Sequence, residues 1–255
     1  MTQKVGIVIL AAGLGTRMQS ELAKVLHPIC GAPMIGFVVH TAAAIAGENI
    51  VVVVGHQAEA VKQAVLREAP AVFAYQERQM GTGHAVLCAM PHIPAAVEHV
   101  VVLCGDVPLI QATTIEQLLA DHYAHQRDVT LLAVDMPNPK GYGRLVFNES
   151  GALAAIVEEA DADAGQKAIT TINSGIYVIK RKFLEVALPR LRSDNKQKEI
   201  YLTDIVGLGY RDGRSIGAVL GRDSNEIIGV NSRNELQLVE KLMKIRDSGK
   251  NLDLQ

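Results

Sequence analysis

The sequence contains no tryptophan and few other aromatic residues, with four phenylalanines and six tyrosines among 255 residues. It has only three cysteines, Cys30, Cys88 and Cys104, and none of them lies in a paired spacing. A disulfide framework or a zinc site would need cysteines or histidines at short, regular intervals, so neither is indicated. The scattered thiols favour a reducing compartment, and we expect a cytoplasmic protein.

The chain also lacks an excess of charge of either sign and any long hydrophobic run. Its 25 basic and 27 acidic residues give a formal net charge of −2, which attracts neither nucleic acid nor an anionic membrane. The apolar stretch VGIVILAAG near the start is too short to span a bilayer, and no signal-peptide cleavage site follows it. We therefore expect no nucleic-acid or membrane partner, while a local cationic site for a small anion stays open.

Apolar residues make up 49% of the chain, and the first half alternates strand-like with helix-like segments. Runs that are apolar on both faces and rich in β-branched residues are typical of a buried parallel sheet. The strand-like runs cover 5–12, 49–56, 71–76, 99–106 and 128–136, and helical spacing covers about 33–46, 57–68, 81–91 and 113–126. This alternation predicts an α/β fold, with a Rossmann-like, helix-flanked, mixed but mostly parallel sheet.

After about residue 137 the pattern changes to GYGRLVF, GALAAIVEE and TTINSGIYVIKR, which are typical of strands joined by short turns. Helical segments follow over 181–193, 201–213 and 233–247, and the run IIGV before Asn231 is predicted as a strand. No linker rich in proline, glycine or serine and no internal repeat interrupts the chain. We expect one compact unit with an inserted or appended β subdomain on the substrate side.

The loop AAGLGTR after the first strand predicts a phosphate cradle. Gly13 and Gly15 permit positive φ and close approach of the backbone, while Arg17 and Lys24 add positive charge. The spacing is not a P-loop, because no Gly-Lys-Ser/Thr follows, and Met18 stands where a dinucleotide fingerprint has its third glycine. The competing interpretation is a plain glycine turn.

Two further loops follow strands at the same predicted edge of the sheet, where ligands of open α/β sheets bind. QERQMGTGHAV offers the Gln76 amide for a base edge and the glycine turn Gly81–Gly83 at a helix start. Alternatively, Thr82 is only a helix N-cap; His84 is taken as structural. LCGDVPLI places Asp106 directly after a strand, where a carboxylate needs a cationic partner such as magnesium, or else caps a helix.

These motifs together resemble the sugar-1-phosphate nucleotidyltransferases, whose signature is written L-x-x-G-x-G-T-R-M with a later Pro-Lys. Here Ala23 precedes Lys24, so the backbone restraint of a proline ring is missing. The stretches QMGTGHA and GYGR narrow the resemblance to the N-acetylglucosamine-1-phosphate uridylyltransferases, and it runs from Val5 to about residue 245.

The resemblance implies roles for particular residues and Mg²⁺ as the cofactor. It implies catalytic roles for Arg17 and Lys24 and metal binding by Asp106 and Asn231. It assigns the nucleotide to Leu10, Ala11, Ala12, Gly13, Gly15, Thr16, Gln76, Gly81, Thr82 and Gly105, and the sugar to Gly143, Glu158, Asn173, Tyr201, Thr203 and Asn231. Taken singly, the sugar-side residues are also typical of turns and strand edges, and Thr203 and Asn231 of helix caps. Glu159 receives no role.

The implied reaction converts UTP and N-acetylglucosamine 1-phosphate into UDP-N-acetylglucosamine, a cell-wall precursor, and pyrophosphate. A different nucleotide or sugar phosphate is the alternative, and a sugar-nucleotide-binding module without turnover is a second. We predict a nucleotidyltransferase domain over 1–232 and a C-terminal helix and polar tail over 233–255. Bifunctional members of the family continue into hexapeptide repeats with acetyltransferase activity, which this sequence does not contain. The oligomeric state stays open.

Overall fold

A computed structural model describes residues 4–248 as a nine-stranded sheet with helices packed on both faces, beside a two-stranded ribbon. The strands are β1 Val5–Leu10, β2 Pro28–Ile29, β3 Ala32–Pro33, β4 Ile50–Val54, β5 Val72–Tyr75, β6 His99–Cys104, β7 Val129–Asp135, β8 Arg144–Phe147, β9 Leu153–Val157, β10 Thr171–Lys180 and β11 Ile216–Leu220. The helices are α1 Met34–Ala46, α2 Ala58–Leu66, α3 Thr82–Ala89, α4 Ala112–Ala124, α5 Ala164–Lys167, α6 Arg181–Ala187, α7 Asp204–Arg211 and α8 Arg233–Asp247.

The main sheet has the strand order β11-β7-β10-β6-β1-β4-β5. Val8 of β1 pairs in parallel with Val51 of β4 on one side and with Val102 of β6 on the other. Only β10 runs antiparallel to its neighbours β6 and β7 along this path. Because the chain leaves β1 to one side and returns on the other, a crevice opens at the carboxyl ends of β1 and β6, where such sheets bind ligands.

Alternating side chains of the strands supply two cores, one on each face of the sheet. In β1, Ile7 and Ile9 face the core that is closed by α1, α2, α4 and α8, whereas Val8 faces the core closed by α3, α6 and α7. All five residues of β4 are buried, as a strand covered on both faces requires. The two cores fix the strand ends on which the site is built.

The predicted β subdomain is attached to the main sheet through β10. The antiparallel hairpin β8–β9 joins β10 where Arg144 pairs with Ile172. The predicted β subdomain therefore extends the main sheet instead of forming a separate one. The register of β10 against β7 shifts between Asn173 and Tyr177, and Gly175 within this irregularity has φ +81°. Such a bulge redirects side chains, here beside Asn173.

Most predicted elements are confirmed, but the strand predicted immediately before Asn231 is wrong. Residues Ser224–Ile227 form a 3-10 turn, and the backbone N–H of Val230 donates to the Asp106 carbonyl oxygen at 2.9 Å instead of joining a strand. The sequence analysis also missed β11 and the short α5. The helix predicted from residue 233 is present as α8, which buries Val239 and Met243 in the first core. The predicted polar tail beyond residue 248 lies outside the described residues.

None of the helices within residues 4–248 has both the length and the apolar character needed to cross a membrane.

Replacing Leu118 with alanine tests the core on the α1 side. Leu118 of α4 is fully buried, so Leu118→Ala should lower the free energy of unfolding by about 2–5 kcal/mol through lost burial and a residual cavity. The matched control is Leu238→Ala on α8, whose side chain is 45% exposed and whose loss should change stability by about 0.5 kcal/mol or less. Urea unfolding measures both, and equal losses would contradict this packing.

Candidate active site

The loop after β1 forms the floor of a cleft. A 3-10 turn over Thr16–Met18 follows Gly15, whose φ of +66° lies in the left-handed region. A Cβ on Gly15 would stand 2.6 Å from the Lys24 Cβ, so only glycine allows the loop to press on this lysine. Gly13 has no positive φ, and a Cβ there would meet open space. Of the two predicted glycines, Gly15 thus shapes the loop and Gly13 leaves the cleft open.

Four polar side chains from distant parts of the chain meet at one end of this cleft. The Lys24 ammonium forms an ion pair with the Asp106 carboxylate and donates to Asn231 Oδ1 at 3.0 Å. Arg17 Nη2 donates to the same Asn231 oxygen at 2.9 Å. Lys24 and Asp106 are only 16% and 18% exposed, so the pair interacts more strongly than a surface pair. The structure therefore brings together the predicted catalytic and metal-binding residues.

Local structure on both sides holds Asn231 against Asp106. The Val230 N–H bond to the Asp106 carbonyl ties the two segments together, and the Asn231 N–H donates to Glu235 Oε2 at 2.8 Å. The N-cap of α8 is Ser232, whose side chain accepts from the Glu235 N–H. The alternative interpretation of Asn231 as a helix cap is therefore wrong. Its Oδ1 accepts from Arg17 and Lys24, while its Nδ2 donates to the Gly229 carbonyl oxygen at 3.1 Å.

Gln76 lies at the other end of the cleft in a fixed orientation. Its amide nitrogen donates to the Gly81 carbonyl oxygen at 3.1 Å and lies 3.0 Å from His84 Nδ1. Because the amide nitrogen is only a donor, His84 Nδ1 must accept this hydrogen bond, and the ring proton then lies on Nε2. Gln76 is only 3% exposed, and its side-chain oxygen remains as a hydrogen-bond acceptor. His84, taken from the sequence as merely structural, orients the predicted base-binding amide.

Gly81 and Thr82 connect the cleft to the segment before α7. Gly81 has φ +106°, and a Cβ on it would stand 2.8 Å from the Ile200 backbone nitrogen. The Thr82 hydroxyl accepts from the Leu202 N–H at 3.0 Å, and the N-cap of α3 is Gly81. Thr82 is therefore not the helix cap that the alternative interpretation proposed.

The cleft has a volume of about 430 Å³, and predicted nucleotide-site residues line most of it. Gly105 lies beneath this lining; its N–H donates to the Leu10 carbonyl at 2.9 Å, and a Cβ would stand 2.8 Å from Ile35 Cδ1. The predicted lining residues are Leu10, Ala11, Ala12, Gly13, Gly15, Thr16, Lys24, Gln76, Gly81, Thr82 and Asp106, and those that the sequence analysis missed are Leu14, Val25, Gln79, Ala85, Cys104 and Glu199.

The sugar-side residues converge between β8, β9 and the start of α7. Thr203 occupies the N-cap position of α7, as the alternative interpretation proposed, but its hydroxyl makes no capping bond and instead donates to Glu158 Oε1 at 3.0 Å. A Cβ on Gly143 would stand 3.3 Å from Glu158 Oε2. The Asn173 N–H donates to the Gly143 carbonyl at 2.8 Å. Tyr201 and Glu158 line a neighbouring cavity of about 300 Å³.

Glu158 lies in an environment that disfavours the charged form of its carboxyl group. Burial raises the pKa of the Glu158 carboxyl above its usual value, opposed by the Thr203 hydroxyl and reinforced by the nearby carboxylates. Burial likewise raises the pKa of Asp204 and of the Tyr201 hydroxyl, which donates to Gln197 Oε1 at 2.6 Å. Within the described residues, no group of three or more histidine, cysteine and acidic side chains is arranged to hold a metal ion.

Comparison with known proteins places this geometry in a family. Residues 7–186 match the family described as the MobA-like NTP transferase domain. The chain belongs to this family. It is therefore a nucleotidyltransferase, as the resemblance drawn from the sequence implied.

Curated relatives carry the name Bifunctional protein GlmU. The protein from Desulfotalea psychrophila is 42% identical over 240 residues, which cover 94% of this chain and 70% of that protein. The relatives from Syntrophotalea carbinolica and Caldanaerobacter subterraneus are 46% and 44% identical, over 94% and 96% of this chain. This NTP transferase chain spans only 51% and 53% of those two proteins, about half their length.

An ion pair that the sequence analysis missed lies beside the residues predicted to bind the sugar. Arg144 is 2% exposed; it donates to Glu159 Oε2 at 2.7 Å and to the Tyr142 carbonyl oxygen. Glu159, to which the sequence analysis gave no role, is thus the partner of a buried guanidinium. It anchors the turn that precedes β8, on which Gly143 lies. The signal in the sequence was an arginine at the start of a buried strand, which requires a carboxylate.

Replacing Gly15 and Gly13 with alanine tests two things separately, the conformation of the loop and the access of the nucleotide to the cleft. In Gly15→Ala the left-handed backbone costs about 1–2 kcal/mol, and the new methyl displaces Lys24, so both melting temperature and turnover should fall. Gly13→Ala has open space and should keep the melting temperature, while the KM for the nucleotide rises because the methyl enters the cleft. Thermal melts and nucleotide titrations check both, and an unaffected Gly15→Ala would contradict the role of this glycine.

Proposed function

We propose that this chain transfers uridylyl from UTP to N-acetylglucosamine 1-phosphate, giving UDP-N-acetylglucosamine and pyrophosphate. The observation that carries the proposal is the cluster of Arg17, Lys24, Asp106 and Asn231 at one end of a cleft whose other end holds the Gln76 amide. We also propose the cytoplasm as its location, in keeping with three unpaired thiols. The predicted domain boundary at residue 232 remains a prediction.

The proposed reaction needs charge stabilisation more than proton transfer. The phosphate oxygen of the sugar phosphate is already an anionic nucleophile, so no general base or covalent residue is required. Arg17 and Lys24, brought to one Asn231 oxygen from opposite ends of a short loop, are positioned to bind the triphosphate. Fixed cations at the point where charge develops on the departing pyrophosphate lower the barrier without reorganisation.

NTP transferases generally use a divalent metal, and we propose Mg²⁺ held by Asp106 and Asn231. Both residues present oxygen atoms, and Asp106 Oδ2 and Asn231 Oδ1 already accept from the positively charged Lys24 ammonium, which supports the proposal that these two oxygens can hold a cation. Magnesium binds through one or two protein carboxylates together with substrate phosphates, so a site with a single carboxylate and an amide suits it. When bound, it would neutralise phosphate charge.

Recognition of uracil rests on the orientation of Gln76. Both amide hydrogens are used inside the protein, by Gly81 and His84, so the side chain presents an oxygen acceptor. An acceptor pairs with the ring N–H of uracil. Ala11, Ala12, Gly13 and Gly81 line the cleft with small side chains or none, which allows a nucleotide to approach the backbone closely.

Recognition of the sugar is proposed for Gly143, Glu158, Asn173, Tyr201 and Thr203. Glu158, fixed by the Thr203 hydroxyl, offers carboxylate oxygens that accept from sugar hydroxyl groups. Gly143 leaves space beside that carboxylate, since any Cβ there would crowd it. Asn231 contacts the sugar phosphate in this proposal.

A pyrophosphate-release assay with a panel of nucleoside triphosphates and sugar 1-phosphates, run with magnesium, tests the function. The proposal requires UTP with N-acetylglucosamine 1-phosphate to give the highest kcat/KM. A preference for another pair would show a different nucleotidyltransferase specificity. Binding of a sugar nucleotide without turnover of any pair would identify a binding module and contradict the proposed enzyme.

Removing one member of the ion pair should abolish most turnover. Lys24→Ala and Asp106→Ala should each lower kcat by about 10²–10³, as expected for loss of one preorganised electrostatic group. The matched control is Lys62→Ala, which removes an ion pair with Glu59 on α2 and a cation–π contact with Phe73, neither of which lines the cleft, and which should leave kcat unchanged. Circular dichroism checks that the fold survives. Near-normal turnover of either site variant would refute the role given to that residue.

The raised pKa of Glu158 predicts a pH effect on sugar binding. As the pH falls through this raised value, the carboxyl gains a proton and accepts fewer hydrogen bonds, so the KM for the sugar phosphate should rise. Glu158→Gln removes this titration and should have a high KM already at neutral pH. The substrate phosphate itself titrates at about pH 6, and this changes the KM of the wild type and of Glu158→Gln in the same way. The measurement is therefore the ratio of the two KM values at each pH. A ratio that stays constant from pH 8 to pH 5 would contradict the role of Glu158.

A further inference from the structure

The residue before Lys24 is held by a side chain from another loop. The N–H of Ala23 donates to Gln57 Oε1 at 2.9 Å, and Ala23 is only 1% exposed. The φ and ψ of Ala23 are −53° and 134°. This φ lies within the narrow range that a proline ring imposes, although the residue is alanine.

Gln57 makes a second bond to the same segment. Its Nε2 donates to the Glu21 carbonyl oxygen at 2.9 Å, so one carboxamide spans the backbone from Glu21 to Ala23. Gln57 itself precedes α2 with φ +51°, a left-handed conformation that is unfavourable for a residue with a Cβ. Strained residues of this kind persist where surrounding contacts determine them.

The position of Ala23 determines the position of Lys24. The Leu26 N–H donates to the Ala23 carbonyl at 2.9 Å and so begins the 3-10 turn that contains Lys24. On its other side Lys24 packs against Gly15, where no Cβ fits. Its ammonium then reaches Asp106 and Asn231. A shift of Ala23 would therefore move the ammonium within the cluster.

We propose that Gln57 is a positioning residue for Lys24, and that its carboxamide replaces the restraint of a proline ring at position 23. The two devices are alternatives, because proline has no N–H to donate to Gln57 but fixes φ near the value that Ala23 adopts. This inference rests on the catalytic role proposed for Lys24. It predicts that a proline at position 23 makes the enzyme independent of the Gln57 hydrogen bonds.

The test is a double-mutant cycle of Gln57→Met and Ala23→Pro. Methionine keeps a side chain of similar length without hydrogen bonds, and Gln57→Met should lower kcat between about tenfold and 10²-fold, the scale of a small displacement of a catalytic group. The KM values should change less than kcat. Ala23→Pro alone should also lose turnover, because its ring Cδ replaces the N–H and would collide with Gln57 Oε1, which lies 2.9 Å from the Ala23 nitrogen. In the double variant the flexible methionine can move aside, so turnover should recover to within about threefold of wild type, an interaction between neighbours that a cycle isolates.

Three controls make the cycle decisive. Gln117→Met, on the exposed side of α4, should leave kcat unchanged. Gln57→Glu keeps an acceptor for the Ala23 N–H and should retain more turnover than Gln57→Met; this comparison decides the matter if proteins carrying Ala23→Pro do not fold. Lys24→Ala, assayed in parallel, shows whether Lys24 itself is needed.

Either of two results would overturn the inference. Gln57→Met with wild-type kcat shows that Lys24 needs no such restraint, and a loss that Ala23→Pro does not repair shows that Gln57 acts in another way. Inactive Lys24→Ala beside normal Gln57→Met refutes only the positioning role. Normal turnover of Lys24→Ala refutes the catalytic role of Lys24 and the positioning role with it.

Discussion

The ion pair between Lys24 and Asp106 joins two loops at the candidate active site, the loop after β1 and the loop after β6. Asp106 follows β6 and Lys24 follows the loop after β1, so the pair spans the crevice between two parallel strands of one sheet. A partly buried carboxylate without a cation would be costly. The fold therefore has to bring a cation there, and Asn231 and Arg17 complete a cluster in which two positive groups share one amide oxygen.

The rest of the structure fixes this cluster rather than adding to its chemistry. Two cores hold β1 and β6 in register, Gly15 lets the loop close on Lys24, and the Val230 bond to the Asp106 backbone brings the start of α8 into the site. The antiparallel strand β10 pairs with β8 of the β8–β9 hairpin. Glu158 follows β9 directly, so it is held by the same sheet that forms the candidate nucleotide cleft. The residues proposed to bind base, phosphate and sugar thus lie on separate elements of one sheet.

Local patterns predicted the elements and most of the site, but not its supporting contacts. Apolar runs identified β1, β4 and β6, and the residues after them gave Lys24 and Asp106, because strand ends of a parallel sheet converge. The contact of Gln57 with Ala23 joins two separate loops and has no local sequence pattern, and the contact of His84 with Gln76 depends on how the loop before α3 folds back. For Glu159 only the need of the buried Arg144 for a carboxylate was visible in the sequence. The run before Asn231 failed as a strand because a backbone bond to Asp106 replaced pairing in the sheet.

We propose that Asp106, which is paired with Lys24 in this structure, is the residue through which a divalent metal would strengthen nucleotide binding. Calorimetric titration of UTP with and without magnesium, on wild type and Asp106→Asn, tests it most directly. Magnesium should strengthen UTP binding to the wild type by roughly tenfold or more, and Asp106→Asn should lose this enhancement while its metal-free affinity is kept or increased, because the metal and the nucleotide would be coupled through one site. An equal enhancement in both proteins would contradict it.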